Sequence, residues 1–94
     1  MINVEWTEVA KDDYIVLLKS AYEQSTEKAL LLDGKMEALL NNLRQFKYLC
    51  PATQKFPNFR RCVVTRYLAL VYEVGLEAIL IVSVFDTRAQ HPFN

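Results

Sequence analysis

Residues 67–85, YLALVYEVGLEAILIVSVF, constrain the fold more than any other stretch of this 94-residue chain. Two runs rich in aliphatic and aromatic residues meet at Gly75-Leu76, and each has the length of a strand rather than of a buried helix. The dipeptide supplies a tight hairpin, its glycine free to take a positive φ. The second run, EAILIVSVF, is apolar almost throughout, as expected of a strand covered on both faces. Immediately upstream, the β-branched RCVVTR reads as a further strand. Three consecutive strands joined by short turns pair as an antiparallel meander, and one this apolar must bury at least one face.

The N-terminal half supplies the cover. Ile2, Val4 and Trp6 alternate with Asn3 and Glu5, the period of a short half-buried strand, expected at the sheet edge. Thr7 is placed to cap a helix whose apolar face is Val9, Ala10, Tyr14, Leu17, Leu18 and Ala21. Ser25 or Thr26 caps a second, with the stripe Ala29, Leu32, Met36, Leu39, Leu40, Leu43 and Phe46. Gly34 weakens that helix by about 1 kcal/mol relative to alanine and is read as a point of close packing. The short YEQS between the two implies an antiparallel helical hairpin. Pro51 and Pro57 bracket an irregular connection, PATQKFPNF, unsuited to a central strand. The expected architecture is one α+β domain over residues 1–94, in the order β-α-α-β-β-β, with the helical hairpin packed on the sheet.

Charge and cysteine usage narrow the function classes. The net charge is zero, yet residues 1–43 hold eight acids against four lysines, while residues 44–94 hold seven bases against three acids. Between Arg44 and Arg66 there are six bases and no acid. Such a run is either a patch for an anionic partner, nucleic acid or acidic peptide, or an ordinary solvated face. No apolar run approaches the ~20 residues needed to cross a bilayer, and the N-terminus lacks a basic stretch followed by an apolar one, so a cytoplasmic location is expected. Cys50 and Cys62 lack metal-type spacing; the two thiols could bridge, but in a reducing compartment they read as free. With two glycines in all, no phosphate-cradling loop exists, and no metal or cofactor is expected. The tyrosines and phenylalanines read chiefly as core or partner-contact residues rather than a base-stacking platform.

The succession of Trp6, EVAKDDYIVLLKSAYEQS, FRRCVVTRYLALVYEV and ILIVSVFDTRAQHP resembles the RelE/ParE toxin superfamily of type II toxin–antitoxin modules, across essentially the whole chain. The resemblance implies the α+β fold above and a cognate antitoxin whose C-terminal segment wraps the toxin. It also implies one of two activities. RelE-, YoeB- and HigB-like members cleave mRNA in the ribosomal A site, whereas ParE-like members bind and inhibit DNA gyrase.

SVFDTRAQHP gathers Asp86, Arg88 and the only histidine, His91, within six residues. RNA cleavage through the 2′-hydroxyl needs a base, an acid and positive charge at the phosphate. By resemblance, cleaving members carry an arginine three residues before the tyrosine that matches Tyr72, and here that position is Ala69. The His-Tyr pair of YoeB-like members falls near Thr87 and Arg88. His91, in a loop before Pro92, reads as a surface residue, and Asp86 is expected to hold Arg88 or a turn amide. Arg61, Arg66 and Arg88 remain the only catalytic candidates, and strand alternation gives Arg61 and Arg66 no reason to converge. The chain is therefore expected to be closer to ParE-like members, a plasmid stabilisation-like, growth-inhibiting toxin acting on gyrase. The alternative is a ribosome-dependent mRNA endonuclease. Arg44, Lys47, Lys55, Arg60, Arg61, Arg66 and Arg88 are the expected binding residues for an acidic amphipathic antitoxin tail and for the target. A homodimer and a toxin–antitoxin hetero-oligomer are both open to such a chain.

Overall fold

Strands β1 (Asn3–Trp6), β2 (Phe59–Thr65), β3 (Leu68–Val74) and β4 (Ala78–Asp86) and helices α1 (Glu8–Gln24) and α2 (Thr26–Gln45) make up the computed structural model, which describes residues 2–94. The strands form a single sheet in the order β1-β4-β3-β2. β2, β3 and β4 are the expected antiparallel meander, and β1 lies parallel to β4 at the opposite edge. The order of elements and the α+β class are as the sequence implied.

Local chemistry sets the helix ends. The Thr7 hydroxyl accepts from the Ala10 amide at 3.1 Å, so it caps α1. Ser25 ends α1 and begins α2: its amide donates to Ala21 O at 2.9 Å, and its hydroxyl accepts from Lys28 N at 3.2 Å. One extended residue thus reverses the chain. The hairpin is tied further along by Tyr14, whose hydroxyl donates to Asp33 at 2.8 Å and whose ring packs on Trp6. Burial, followed by the Asp33 carboxylate, pushes the Tyr14 phenol well above its ordinary range.

Met36, Leu40 and Leu43 from α2 and Ala10 from α1 pack on Cys62, Leu70, Tyr72, Ile79, Ile81 and Val84 of the sheet. Two helical expectations fail at their ends. Val9 is 65% exposed and Phe46 60%, because the stripe rotates away from the sheet at the first turn of α1 and the chain leaves α2 at Gln45. Gly34 is not a packing point: a Cβ there would meet nothing within 4 Å. Gly75 is required, though for another reason than a positive φ, since no described glycine has one. The Gly75 amide donates to Ala78 O at 2.8 Å, and a Cβ would stand 2.9 Å from that oxygen.

β4 departs from simple alternation. Tyr72 pairs with Ile81 and Val71 with Ser83, so Val82 is an extra residue, a β-bulge. Ile79 and Ile81 face the helices, and after the bulge Val84 does so again, which turns Ser83 and Phe85 to the other face. That second face is covered only around Phe85, so β4 is sealed on both sides over part of its length.

Cys50 and Cys62 are not free thiols. They form a disulfide with a Cα–Cα separation of 5.3 Å, well inside the range a bridge demands. The chain turns back after α2 and runs beside β2: Arg61 N donates to Pro51 O at 3.0 Å, Thr53 N to Phe59 O at 2.9 Å, and Ala52 bridges Arg60. This short added pairing brings the cysteines together, and nothing in their spacing announces it.

Candidate functional site

The seven candidate bases do not form one patch. Six of them divide into three pairs on different parts of the surface, and Arg44 stands apart. Arg44 closes α2, with its guanidinium on Asn41 Oδ1 at 2.7 Å.

Lys47 and Arg60 flank the exposed ring of Tyr48, at 5.4 and 4.8 Å from its centroid. Arg60 is also tied down, because its Nη1 donates to Cys50 O at 2.7 Å. Nothing local to Arg60 in the sequence signals this second duty.

Arg61 faces the other side of the sheet, where strand alternation put it. Its guanidinium lies 5.7 Å from the Phe85 ring, and Nη2 donates to Asn94 Oδ1 at 3.2 Å. Its Nε is buried without a partner. Lys55 joins Arg61 along a cleft of about 390 Å³ that Phe56, Phe93 and Asn94 also line.

Arg66 and Arg88, 22 positions apart in sequence, do converge. The β2–β3 turn at Arg66-Tyr67 stands beside the end of β4, where Leu68 pairs with Asp86. The two guanidiniums flank the half-exposed Tyr67 ring at 5.0 and 4.2 Å. Asp86 fixes Arg88 as expected: its carboxylate accepts from Arg88 Nε at 3.0 Å, Nη2 at 2.7 Å and the Arg88 amide at 2.9 Å.

The side-chain and then the backbone hydrogen bonds from Arg88 hold the Asp86 carboxyl at about 2, below its ordinary 3.8. A carboxyl depressed in the folded state stabilises it above the unfolded value, and that contribution is lost as pH falls through the folded value. The difference in urea midpoint between the parent and Asp86→Asn is therefore expected to be constant above pH ~4 and to shrink between about pH 4 and 2. A difference independent of pH across that window removes the Asp86–Arg88 assignment.

His91 is not a loose surface residue. Its ring stacks flat on Phe85, with centroids 3.9 Å apart and planes 2° from parallel. The Phe93 amide donates to Nδ1 at 3.3 Å, so in the neutral ring Nε2 carries the proton and donates to Ser83 Oγ at 3.2 Å. In that polarity the histidine cannot take a proton from Ser83. Phe93 continues the cover, meeting Phe56 and Phe59 edge to face at 5.2 and 5.4 Å.

Beneath this aromatic strap lies Ala69, fully buried with Val71 and Phe85. Tyr72 is equally buried, on the helix side. Its hydroxyl donates to Lys47 O at 2.8 Å and accepts from Cys50 N at 3.3 Å, and burial raises its phenol. Among the described residues no cluster of His, Cys, Asp and Glu is fit to hold a metal, and no helix is long and apolar enough to cross a membrane.

Guanidiniums do not deprotonate, so Arg60 at Tyr48 and Arg66 at Tyr67 present fixed positive charge beside an aromatic plane. Fixed positive charge of this kind is complementary to an acidic surface, and it is carried here on a small α+β domain. The family described as the ParE toxin of the type II toxin–antitoxin system, parDE, matches residues 4–91, and the chain belongs to that family.

No curated protein sequence matches the chain. Among solved structures it is similar to a YoeB/ParE toxin from Agrobacterium tumefaciens, with TM-score 0.68 and 14% identity over 90% of this chain and 98% of that one. It is also similar to a chain of the chromosomal ParDE system from P. aeruginosa, with TM-score 0.67 and 20% identity over 92% and 96%. The E. coli DinJ–YafQ complex gives TM-score 0.58 and 15% identity over 94% and 96%. At these identities the likeness is one of fold.

Proposed function

We propose that this type II toxin acts by binding rather than by cutting RNA, with DNA gyrase as its target. In this reading a cognate antitoxin in the cytoplasm holds it in check. The burial of Ala69 carries the reading. Where the resemblance calls for a phosphate-binding arginine, this chain has a methyl group sealed under Phe85, with Phe59 and Phe93 packed against it.

Arg66 offers its charge to an acidic partner beside Tyr67, whereas the Arg88 charge is already balanced by Asp86, and neither supplies a base. An acidic amphipathic antitoxin tail meets complementary charge at both cation-flanked tyrosines and at the Lys55–Arg61 cleft.

Purified gyrase is expected to lose supercoiling activity as the toxin is added, with translated mRNA left intact in primer extension. No inhibition at any toxin concentration overturns the gyrase assignment. A-site cuts that vanish in Arg88→Ala establish the endonuclease reading in its place.

A further inference from the structure

The proposed function makes no use of the disulfide, yet the bridge occupies a strategic place. The segment 46–58 links α2 to β2 and lies along the outer edge of the sheet. Cys50 is its one buried residue, while Phe46, Tyr48, Leu49 and Phe56 are all exposed. A segment that buries so little apolar surface belongs to the least stable part of a fold. We propose that Cys50 and Cys62 are a redox-controlled clasp: oxidised, they lock this segment over the β2 edge, and reduced, they let it lift.

Two kinds of fastening hold the segment. The covalent one joins Cys50 to Cys62, which sits in the core among α2 and sheet side chains at 2% exposure. The other is a set of hydrogen bonds: Tyr72 to Lys47 and Cys50, Arg60 to Cys50, Arg61 to Pro51, and Thr53 to Phe59. These survive reduction, so the reduced protein keeps the fold and the docked segment becomes a locally opening unit. Opening frees the Arg61 N–H and the Phe59 carbonyl, and an unpaired sheet edge is a template for another strand.

The chemistry is a two-electron exchange with a thiol reductant. One thiolate attacks at Cys50, the less buried of the two residues, forming a mixed disulfide and releasing Cys62 as a thiolate that takes up a proton. A second thiol attacks the mixed disulfide. The reductant leaves as its own disulfide, and Cys50 becomes a thiol. Charge released at Cys62 falls in an apolar core, so the departing thiolate is protonated at once and the segment is then free to lift. The physiological setting rests on the cytoplasmic reading above, since cytosolic disulfides are generally transient and redox-sensing. The test does not depend on that reading.

The full chain is equilibrated across ratios of reduced to oxidised glutathione, quenched by alkylation and weighed, and each form is then followed by amide hydrogen exchange. One two-electron transition is expected. In the reduced form the Cys50, Thr53 and Arg61 amides should exchange at least about tenfold faster, with β3–β4 protection changed far less. The Cys50→Ala/Cys62→Ala variant should match the reduced form in every buffer. Thiols that stay free at all ratios overturn the proposal, as does identical exchange in the two forms. Neither readout involves gyrase or RNA, so failure here is distinct from failure of the proposed function.

Discussion

Ala69→Arg is expected to cost about 4 kcal/mol or more of folding free energy and to confer no RNA cleavage. On the pattern of cleaving relatives the substitution looks like a repair. In this fold it forces a long cation into a site closed by Val71 and Phe85, with Phe59, Val82 and Phe93 packed against it. Overpacking alone costs about 1–3 kcal/mol, and a buried charge without a partner costs several more. Against a typical stability of about 5–15 kcal/mol, that is a large part of the whole. The loss is measured as a drop in urea midpoint against the parent, with Ala69→Ser as the small-residue control. An Ala69→Arg protein within about 1 kcal/mol of the parent would show that the strap opens readily, and the binding-only reading would lose its main support.

How much of this was legible in the sequence follows from the range of the interactions involved. The hairpin at Gly75, the cap at Thr7 and the stripe through Met36, Leu40 and Leu43 are local or periodic features, and all three appear where expected. The Val82 bulge was hidden. One extra residue in an unbroken apolar run leaves no trace in composition, yet it decides that Phe85 rather than Val84 faces the strap.

The candidate site was legible only in part. The sequence picked out Arg66 and Arg88 but gave no reason for them to meet, because their meeting depends on the pairing of Leu68 with Asp86. It treated Arg60 as a free surface charge, although its guanidinium holds Cys50 O. Compartment pointed to free thiols, whereas the disulfide follows from geometry. The pairing of Pro51 with Arg61 that creates the geometry is made by main-chain atoms, which carry no sequence signal. His91 offered one clue in retrospect: the alternation of His91 and Phe93 around Pro92 is what a short strap on an apolar face requires.

Tyr72→Phe should destabilise the protein by about 2 kcal/mol, although it removes a single oxygen. The hydroxyl serves two main-chain groups of one segment, donating to Lys47 O and accepting from Cys50 N. Removing it leaves the Cys50 amide buried without a partner, the costly case, while the carbonyl of half-buried Lys47 regains water. The ring stays in the core, so no cavity opens and the whole loss is polar.

The same segment is fastened by the disulfide, and two fastenings of one unit do not act independently. With the bridge intact the segment stays docked, the orphaned Cys50 amide stays buried, and the full cost of losing the hydroxyl is felt. In the Cys50→Ala/Cys62→Ala background the segment can lift and return that amide to water, so the cost should be smaller, giving a coupling of at least about 0.5 kcal/mol in a double-mutant cycle read from urea midpoints. Strict additivity would mean that the hydroxyl and the disulfide stabilise separate parts of the molecule, and the segment would no longer count as a single clasped unit.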